Sequence, residues 1–167
     1  MRWITYFILA YIALAIQAGA GPYIRWNGAP PNLVLLAVIF IAINAPREAA
    51  LLGCLCLGLM QDLLTQSPLG LYALAYGMVG MFVVSTQQVV YREHPLTHFS
   101  LALVGGMLTS LVLLLQGFIH RPGVGAWSLF VTTLYTAILA PFVLGALQRI
   151  KRLFAFQPTR RKIRASF

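Results

Sequence analysis

The sequence predicts an all-α integral membrane protein, a bundle of six transmembrane helices. Of its 167 residues, 60% are hydrophobic and only 9% are charged, whereas a soluble domain carries about 25% charged residues. Six apolar stretches of helical length follow one another, separated by short segments rich in proline, glycine and charge. The basic residues are unevenly distributed among those segments. We therefore expect one membrane domain, residues 1–150, and a basic tail, residues 151–167.

The first two spans are expected over residues 3–20 and 31–45. Arg2 and the small residues that close the first stretch resemble a signal peptide, but the stretch is long and further spans follow directly, which favours a retained helix. Gly21-Pro22 ends it, because proline cannot continue the hydrogen-bond ladder. The second span is short for a hydrocarbon core of about 30 Å. We expect it to tilt inside the bundle, to thin the bilayer or to continue into its loop.

The third and fourth spans, residues 46–64 and 68–90, flank the sequence TQSPLG. Pro46 suits the first position of the third helix, and Glu48 lies in its first turn, where a negative charge interacts favourably with the helix dipole. TQSPLG predicts a turn in which Ser67 caps the fourth helix and Pro68 is its first residue.

The fifth and sixth spans, residues 96–119 and 126–147, follow the connectors YREHP and HRPGVG, and Pro141 predicts a kink in the sixth. Six spans put both termini on one side. Of the 12 lysine and arginine residues, only Arg25 and Arg121 then lie on the other side. The positive-inside rule places both termini in the cytoplasm, and a five-span arrangement, the alternative, would expose Arg2 or the tail.

Small residues recur every fourth position in three spans, which predicts close packing of helix backbones. Such stripes pack a bundle together more often than they bind a partner. The residues concerned are Ala50, Cys54 and Gly58 in the third span, Ala73 and Gly77 in the fourth, and Ala102, Gly106 and Ser110 in the fifth.

No catalytic residue, metal site or cofactor is predicted. The three acidic residues all fall at the ends of spans or in connectors, and the serines have no base nearby in sequence. His94 and His98 have a helical metal-ligand spacing, but Pro95 between them indicates a helix start. No glycine-rich phosphate loop is present. The tail RRKIRASF beside a span is expected to set topology and to contact anionic lipid or an acidic partner, with no role in nucleic-acid binding.

Asp62, within GLMQDLLTQSPLG at residues 58–70, has two interpretations. In the structural one, its carboxylate and the Gln61 amide reach across the short turn to the free amides at the start of the fourth helix. In the functional one, Asp62 and the turn after it present a surface to a partner's membrane segment. Both can hold, because a turn must be rigid before a partner can recognise it.

Residues 31–76 resemble the MreD family of the bacterial rod-shape system. Pro-Asn opens a short span, two apolar helices follow, and a Gly-Leu-x-Gln-Asp segment leads through Ser-Pro-Leu-Gly into a return helix. Chain length, six spans and a basic end agree with that family. The resemblance is carried by an ordered set of residues: Gly58, Gln61, Asp62, Ser67, Pro68, Leu69 and Gly70.

The resemblance implies a non-enzymatic scaffold or regulator of lateral peptidoglycan synthesis in the bacterial inner membrane. The implied partner is MreC and, through it, MreB, RodA and a class B penicillin-binding transpeptidase. The family is also similar in fold to the S-components of energy-coupling-factor vitamin transporters. A vitamin-binding subunit is therefore the alternative function, although few polar residues are available on the outer side for such a pocket: Asn27, Gln61, Asp62, Gln66 and His120.

Overall fold

The computed structural model describes residues 3–20, 23, 29–65, 68–86, 95–120 and 126–153. Within these ranges the chain forms six α-helices and no strand, which confirms the all-α membrane bundle. Three helices are long and apolar enough to cross a membrane, over Arg47–Thr65, Leu96–Gly117 and Ala126–Arg149. The helices are α1 (Trp3–Ala20), α2 (Leu33–Asn44), α3 (Arg47–Thr65), α4 (Leu71–Thr86), α5 (Pro95–His120) and α6 (Ala126–Leu153).

The starts of α2 and α4 and the end of α6 each differ from the predicted spans by two residues or more. The α2 helix begins only at Leu33, because Asn32 is its N-cap. The α4 helix begins at Leu71 and not at Pro68, because Gly70 has a φ of +101° that a right-handed helix does not allow. The α6 helix continues to Leu153, since arginine and lysine are good helix formers and favour a helix C-terminus. That the shorter helices each cross the membrane stays a prediction.

The α2 helix lies at the centre of the bundle. All ten residues from Val34 to Ile43 are buried, and α2 packs against each of the other helices described. A helix that is apolar on every face has no side suited to water, so it is covered by neighbours. Around it, α3 packs on α4, α4 on α5, and α5 on α6.

Polar groups from three other helices meet the N-terminus of α2. The Asn32 N–H donates to Thr136 Oγ1 of α6 at 2.9 Å, and the Leu33 N–H donates to Gln17 Oε1 of α1 at 2.7 Å. The Tyr76 hydroxyl of α4 donates to Asn32 Oδ1 at 3.1 Å. Tyr76 and Thr136 are fully buried. Because a free backbone amide is costly inside a membrane, these bonds fix where α2 starts.

The small residues of α3 face its neighbours. Ala50 and Cys54 are fully buried, and a Cβ on Gly80 of α4 would lie 2.7 Å from Cys54 Sγ. A Cβ on Gly77 would come within 3.0 Å of Leu55 Cδ2. The α3 and α4 backbones therefore pack closely along their length.

The small residues of α5 lie against α6. Ala102 is fully buried, and a Cβ on Gly106 would lie 2.7 Å from Thr133 Cγ2. One turn further along, Ser110 Oγ and Thr133 Oγ1 form a hydrogen bond of 2.8 Å. Close approach of the backbones and a satisfied hydroxyl pair hold these two helices together.

Candidate functional site

Asp62 binds the N-terminus of the helix that follows its own. It lies in the last turn of α3 and is 1% exposed. Its Oδ2 accepts the N–H of Gly70 at 2.9 Å and of Ala73 at 3.3 Å, and its Oδ1 accepts the N–H of Tyr72 at 2.8 Å. The first amides of a helix lack partners within it and carry a partial positive charge. One carboxylate from α3 therefore caps the first turn of α4.

The turn between the helices is closed by its own backbone. The Leu71 N–H donates to the Pro68 carbonyl at 3.2 Å, and Gly70 stands at the third position of this turn. Its φ of +101° is the conformation that a type II turn requires there. A Cβ on Gly70 would meet nothing within 4 Å, so backbone conformation alone favours glycine.

Gly58 lets α3 touch the capped turn. A Cβ at this position would lie 2.3 Å from the Ala73 Cα and 2.6 Å from the Tyr72 carbonyl oxygen. Both neighbours are backbone atoms in the first turn of α4, which cannot rotate away. Gly58 and Asp62 are four residues apart on one helix face, so the close approach and the cap act on the same turn.

The structure tests the expected capping role of Gln61 and leaves that of Ser67 a prediction. Gln61 is 6% exposed, and its Oε1 has no hydrogen-bond partner among the described residues. The structure therefore gives this oxygen no capping bond. Ser67, the expected cap of α4, lies outside the described residues, and the carboxylate of Asp62 occupies the amides in question.

Apolar residues described in the turn and beside it are exposed. Pro68 is exposed, and Leu69 is 75% exposed. Leu63 and Leu64, in the last turn of α3, are also exposed. Of the motif residues described, Gly58, Asp62 and Gly70 therefore hold the turn. Pro68 and Leu69 are exposed on it.

The arrangement favours a structural role for Asp62. A general base needs a free oxygen within reach of a substrate proton. Here both carboxylate oxygens accept backbone amides, and burial leaves the side chain 1% exposed. The carboxylate is suited to fixing a backbone in place.

His98 lies at the other end of the bundle. It is 2% exposed, in the first turn of α5, and its Nε2 is hydrogen-bonded to Gln148 Nε2 of α6 at 3.1 Å. This bond joins two helices. His94, the other histidine of the metal-ligand spacing, lies outside the described residues.

The polar contacts around Asn32 were not identified from the sequence. The N-cap itself could have been found, because asparagine directly precedes an apolar run. Gln17, Tyr76 and Thr136 gave no such signal, since the partner of each lies on another part of the chain.

Comparisons with known proteins extend these observations to the family level. A family model described as "rod shape-determining protein MreD" matches residues 1–155. No curated protein and no solved structure matches the chain. The matched range contains the described helices and the turn between α3 and α4.

Proposed function

Because this chain belongs to the MreD family of rod shape-determining proteins, we propose that it is a non-enzymatic membrane scaffold for lateral peptidoglycan synthesis. In this role it works with MreC and, through MreC, with MreB, RodA and a class B penicillin-binding transpeptidase. It resides in the bacterial inner membrane with both termini in the cytoplasm. The uneven distribution of basic residues supports that orientation.

The observation that supports the scaffold role is the capping of α4 by the Asp62 carboxylate. Three backbone amides at the start of α4 bind its carboxylate, and a glycine with positive φ and a backbone hydrogen bond complete the turn. A rigid turn loses little conformational freedom on binding, so its exposed residues are preorganised for a partner. A scaffold needs such a surface and needs no reactive group.

We assign partner contact to the apolar side of the turn. Pro68 and Leu69 project from it, and Leu63 and Leu64 extend the same surface along α3. Apolar side chains held at a rigid turn are suited to a hydrophobic partner segment at the membrane boundary. The buried Asp62 then supports the contact without touching the partner.

The experiment is co-purification from cells that express the tagged full chain at native level, in mild detergent, with quantitative mass spectrometry. The test variant is Leu69→Ala, and the matched control is Leu96→Ala. These leucines are 75% and 72% exposed, and Leu96 lies at the start of α5, at the opposite end of α4 from the turn. Equal yields of folded protein are checked by size-exclusion chromatography.

We expect MreC and the wall-synthesis enzymes to be recovered with the wild type and with Leu96→Ala. Leu69→Ala should recover at least about five-fold less MreC if Leu69 is a hot spot of the contact, because truncating a hot-spot residue costs more than about 1 kcal/mol. Equal recovery with both variants would remove the turn from the interface. Recovery of an ATP-hydrolysing energy-coupling module in place of MreC would overturn the scaffold function itself.

A further inference from the structure

A groove between α5 and α6 combines apolar walls with two hydroxyl groups. Its volume is about 320 Å³, and small-molecule sites in proteins measure about 300–1,000 Å³. Met107 and Leu111 of α5 and Phe130 of α6 line it and are each more than half exposed. Ser110 and Thr133 also line it, and they are the polar residues among an otherwise apolar described lining.

The hydroxyl pair in this groove has one hydrogen more than its own bond uses. Ser110 Oγ and Thr133 Oγ1 are 2.8 Å apart and share one hydrogen bond, so each oxygen has a partner. One of the two hydrogens then has no acceptor among the described residues. Thr109 and Thr136 differ, because each donates its hydrogen to the carbonyl four residues earlier in its own helix. Thr133 is 7% exposed and lines the groove, so a bound molecule in the groove can supply the missing acceptor.

The pair lies inside the hydrocarbon layer. Ser110 is about 5 Å along the helix axis from the middle of the span Leu96–Gly117, and Thr133 is about 7 Å from the middle of the span Ala126–Arg149. The layer extends about 15 Å to each side of its middle, and the polar groups of phospholipids lie beyond it. A hydroxyl hydrogen without an acceptor is costly at this depth. The groove therefore favours an apolar molecule that carries an oxygen acceptor into the layer.

We propose that the groove between α5 and α6 binds a lipid-soluble quinone, a flat apolar ring with carbonyl oxygens. A carbonyl oxygen accepts a hydrogen bond and brings no hydrogen of its own, so it matches the single spare donor of the Ser110–Thr133 pair. Phe130, which is stacked on Trp127, gives the groove an aromatic wall, and flat rings pack well against aromatic side chains. This inference is independent of the scaffold function, because the groove contains no residue of the turn between α3 and α4.

The test measures the melting temperature of the purified full chain in detergent as a ligand is added, since a ligand that binds the folded state raises it. The probe is duroquinone, and the matched control ligand is durene, which has the same ring and methyl groups but no carbonyl oxygen. The duroquinone ring is fully substituted and so has no open position for the exposed thiol of Cys56. Each ligand concentration is corrected for partition into micelles, which is measured without protein.

The test variant combines Ser110→Ala with Thr133→Val. It removes both hydroxyls with little change of shape, and replacing both partners of a hydrogen bond leaves neither unpaired. The matched control is Thr109→Val, which removes a buried hydroxyl of α5 that is bonded within its own helix and lies outside the groove lining.

We expect duroquinone to bind the wild type at least ~5-fold more tightly than durene, because one hydrogen bond distinguishes the two ligands. The double variant should lose this ~5-fold preference, and Thr109→Val should keep it. The comparison of the two ligands on the wild type needs no variant to fold. Equal binding of both ligands by the wild type would overturn the proposal and show an apolar cavity only. Binding of neither would overturn it and leave the groove to acyl chains or to a helix of another chain. An undiminished preference in a folded double variant would overturn it as well.

Discussion

Asp62 supplies the cap that a helix usually obtains from its own N-cap residue. The residue that directly precedes α4 is Gly70, which has no side chain to cap with. The carboxylate comes instead from the preceding helix and binds three amides at 2.8 to 3.3 Å. Because the two partners belong to different helices, the cap also sets the distance between α3 and α4.

Two replacements of Asp62 should lower the free energy of unfolding by different amounts. Asp62→Leu removes every acceptor from three amides, and we expect a loss of ~3 kcal/mol or more in the free energy of unfolding. Asp62→Asn keeps one acceptor oxygen and should fold with a smaller loss, ~1 kcal/mol. Thermal unfolding in detergent measures both, with the exposed Glu48→Gln as the control. Equal melting temperatures for Asp62→Leu and the wild type would rule out the cap.

Two glycines give a matched test of backbone contact. Gly58→Ala places a methyl group 2.3 Å from the Ala73 Cα, and we expect it to lower the free energy of unfolding by ~1–3 kcal/mol. Gly145 lies inside α6, where a Cβ would meet nothing within 4 Å, so Gly145→Ala should leave stability equal or raise it by up to ~1 kcal/mol. Thermal unfolding in detergent gives the order of the two melting temperatures. A Gly58→Ala protein as stable as the wild type contradicts the contact.

Contacts between residues could be predicted from the sequence where the two residues lie close together in the chain. Asp62 and its amides are eight to eleven residues apart, so the turn between two spans already suggests their contact. Asn32 and Thr136 are 104 residues apart, and nothing in the local pattern relates them. The start of α4 was misplaced because proline is tolerated at a first helical position, whereas the positive φ of Gly70 depends on the turn as folded.

The α2 helix shows how much of a helix's burial and contacts its length and composition can indicate. Its 12 residues are too few for a hydrocarbon core of about 30 Å, and all-round apolarity indicates a buried helix. The sequence could therefore suggest a short helix inside the bundle. It could not show which residues from α1, α4 and α6 satisfy the start of this helix, because those contacts depend on the packing of the complete bundle.

The bond between α4 and the N-cap of α2 can be tested by removing one atom. Tyr76→Phe deletes the hydroxyl that donates to Asn32 Oδ1 and leaves the ring in its buried position. We expect the free energy of unfolding to fall by ~1 kcal/mol. The same change at Tyr11, which is 75% exposed, serves as the control and should have no effect. Identical melting temperatures for the two variants would show that the bond contributes nothing.

The other described helices are all arranged around α2. The helices that follow one another along the chain from α3 to α6 also pack on one another, and α2 is in contact with all of them. Helix count and order could be predicted from the apolar stretches and the polar segments between them. That α2 contacts every other described helix could not, since those contacts depend on how the whole bundle packs.

Orientation gives a prediction for the molecule as a whole. With both termini in the cytoplasm, a reporter fused after Phe167 should be active only in its cytoplasmic form. Neutralising Arg149, Lys151, Arg152 and the basic residues at 160–164 should reduce that cytoplasmic fraction. Paired cytoplasmic and external reporters make the measurement, with a fusion in the loop between α5 and α6 as the opposite control. An external signal from the unaltered chain would contradict the six-span arrangement.

The position of α2 has a consequence for biosynthesis. A ribosome completes α2 before it begins α4 or α6, so the two partners of Asn32, Tyr76 and Thr136, are synthesised later than Asn32 itself. Until α6 is made, the Asn32 amide has no acceptor from that helix, and the second helix is too short to sit across a bilayer unaided. The N-terminal third therefore acquires its final structure only when the last helix arrives. A chain that stops before α6 lacks the acceptor that Thr136 gives to the Asn32 amide.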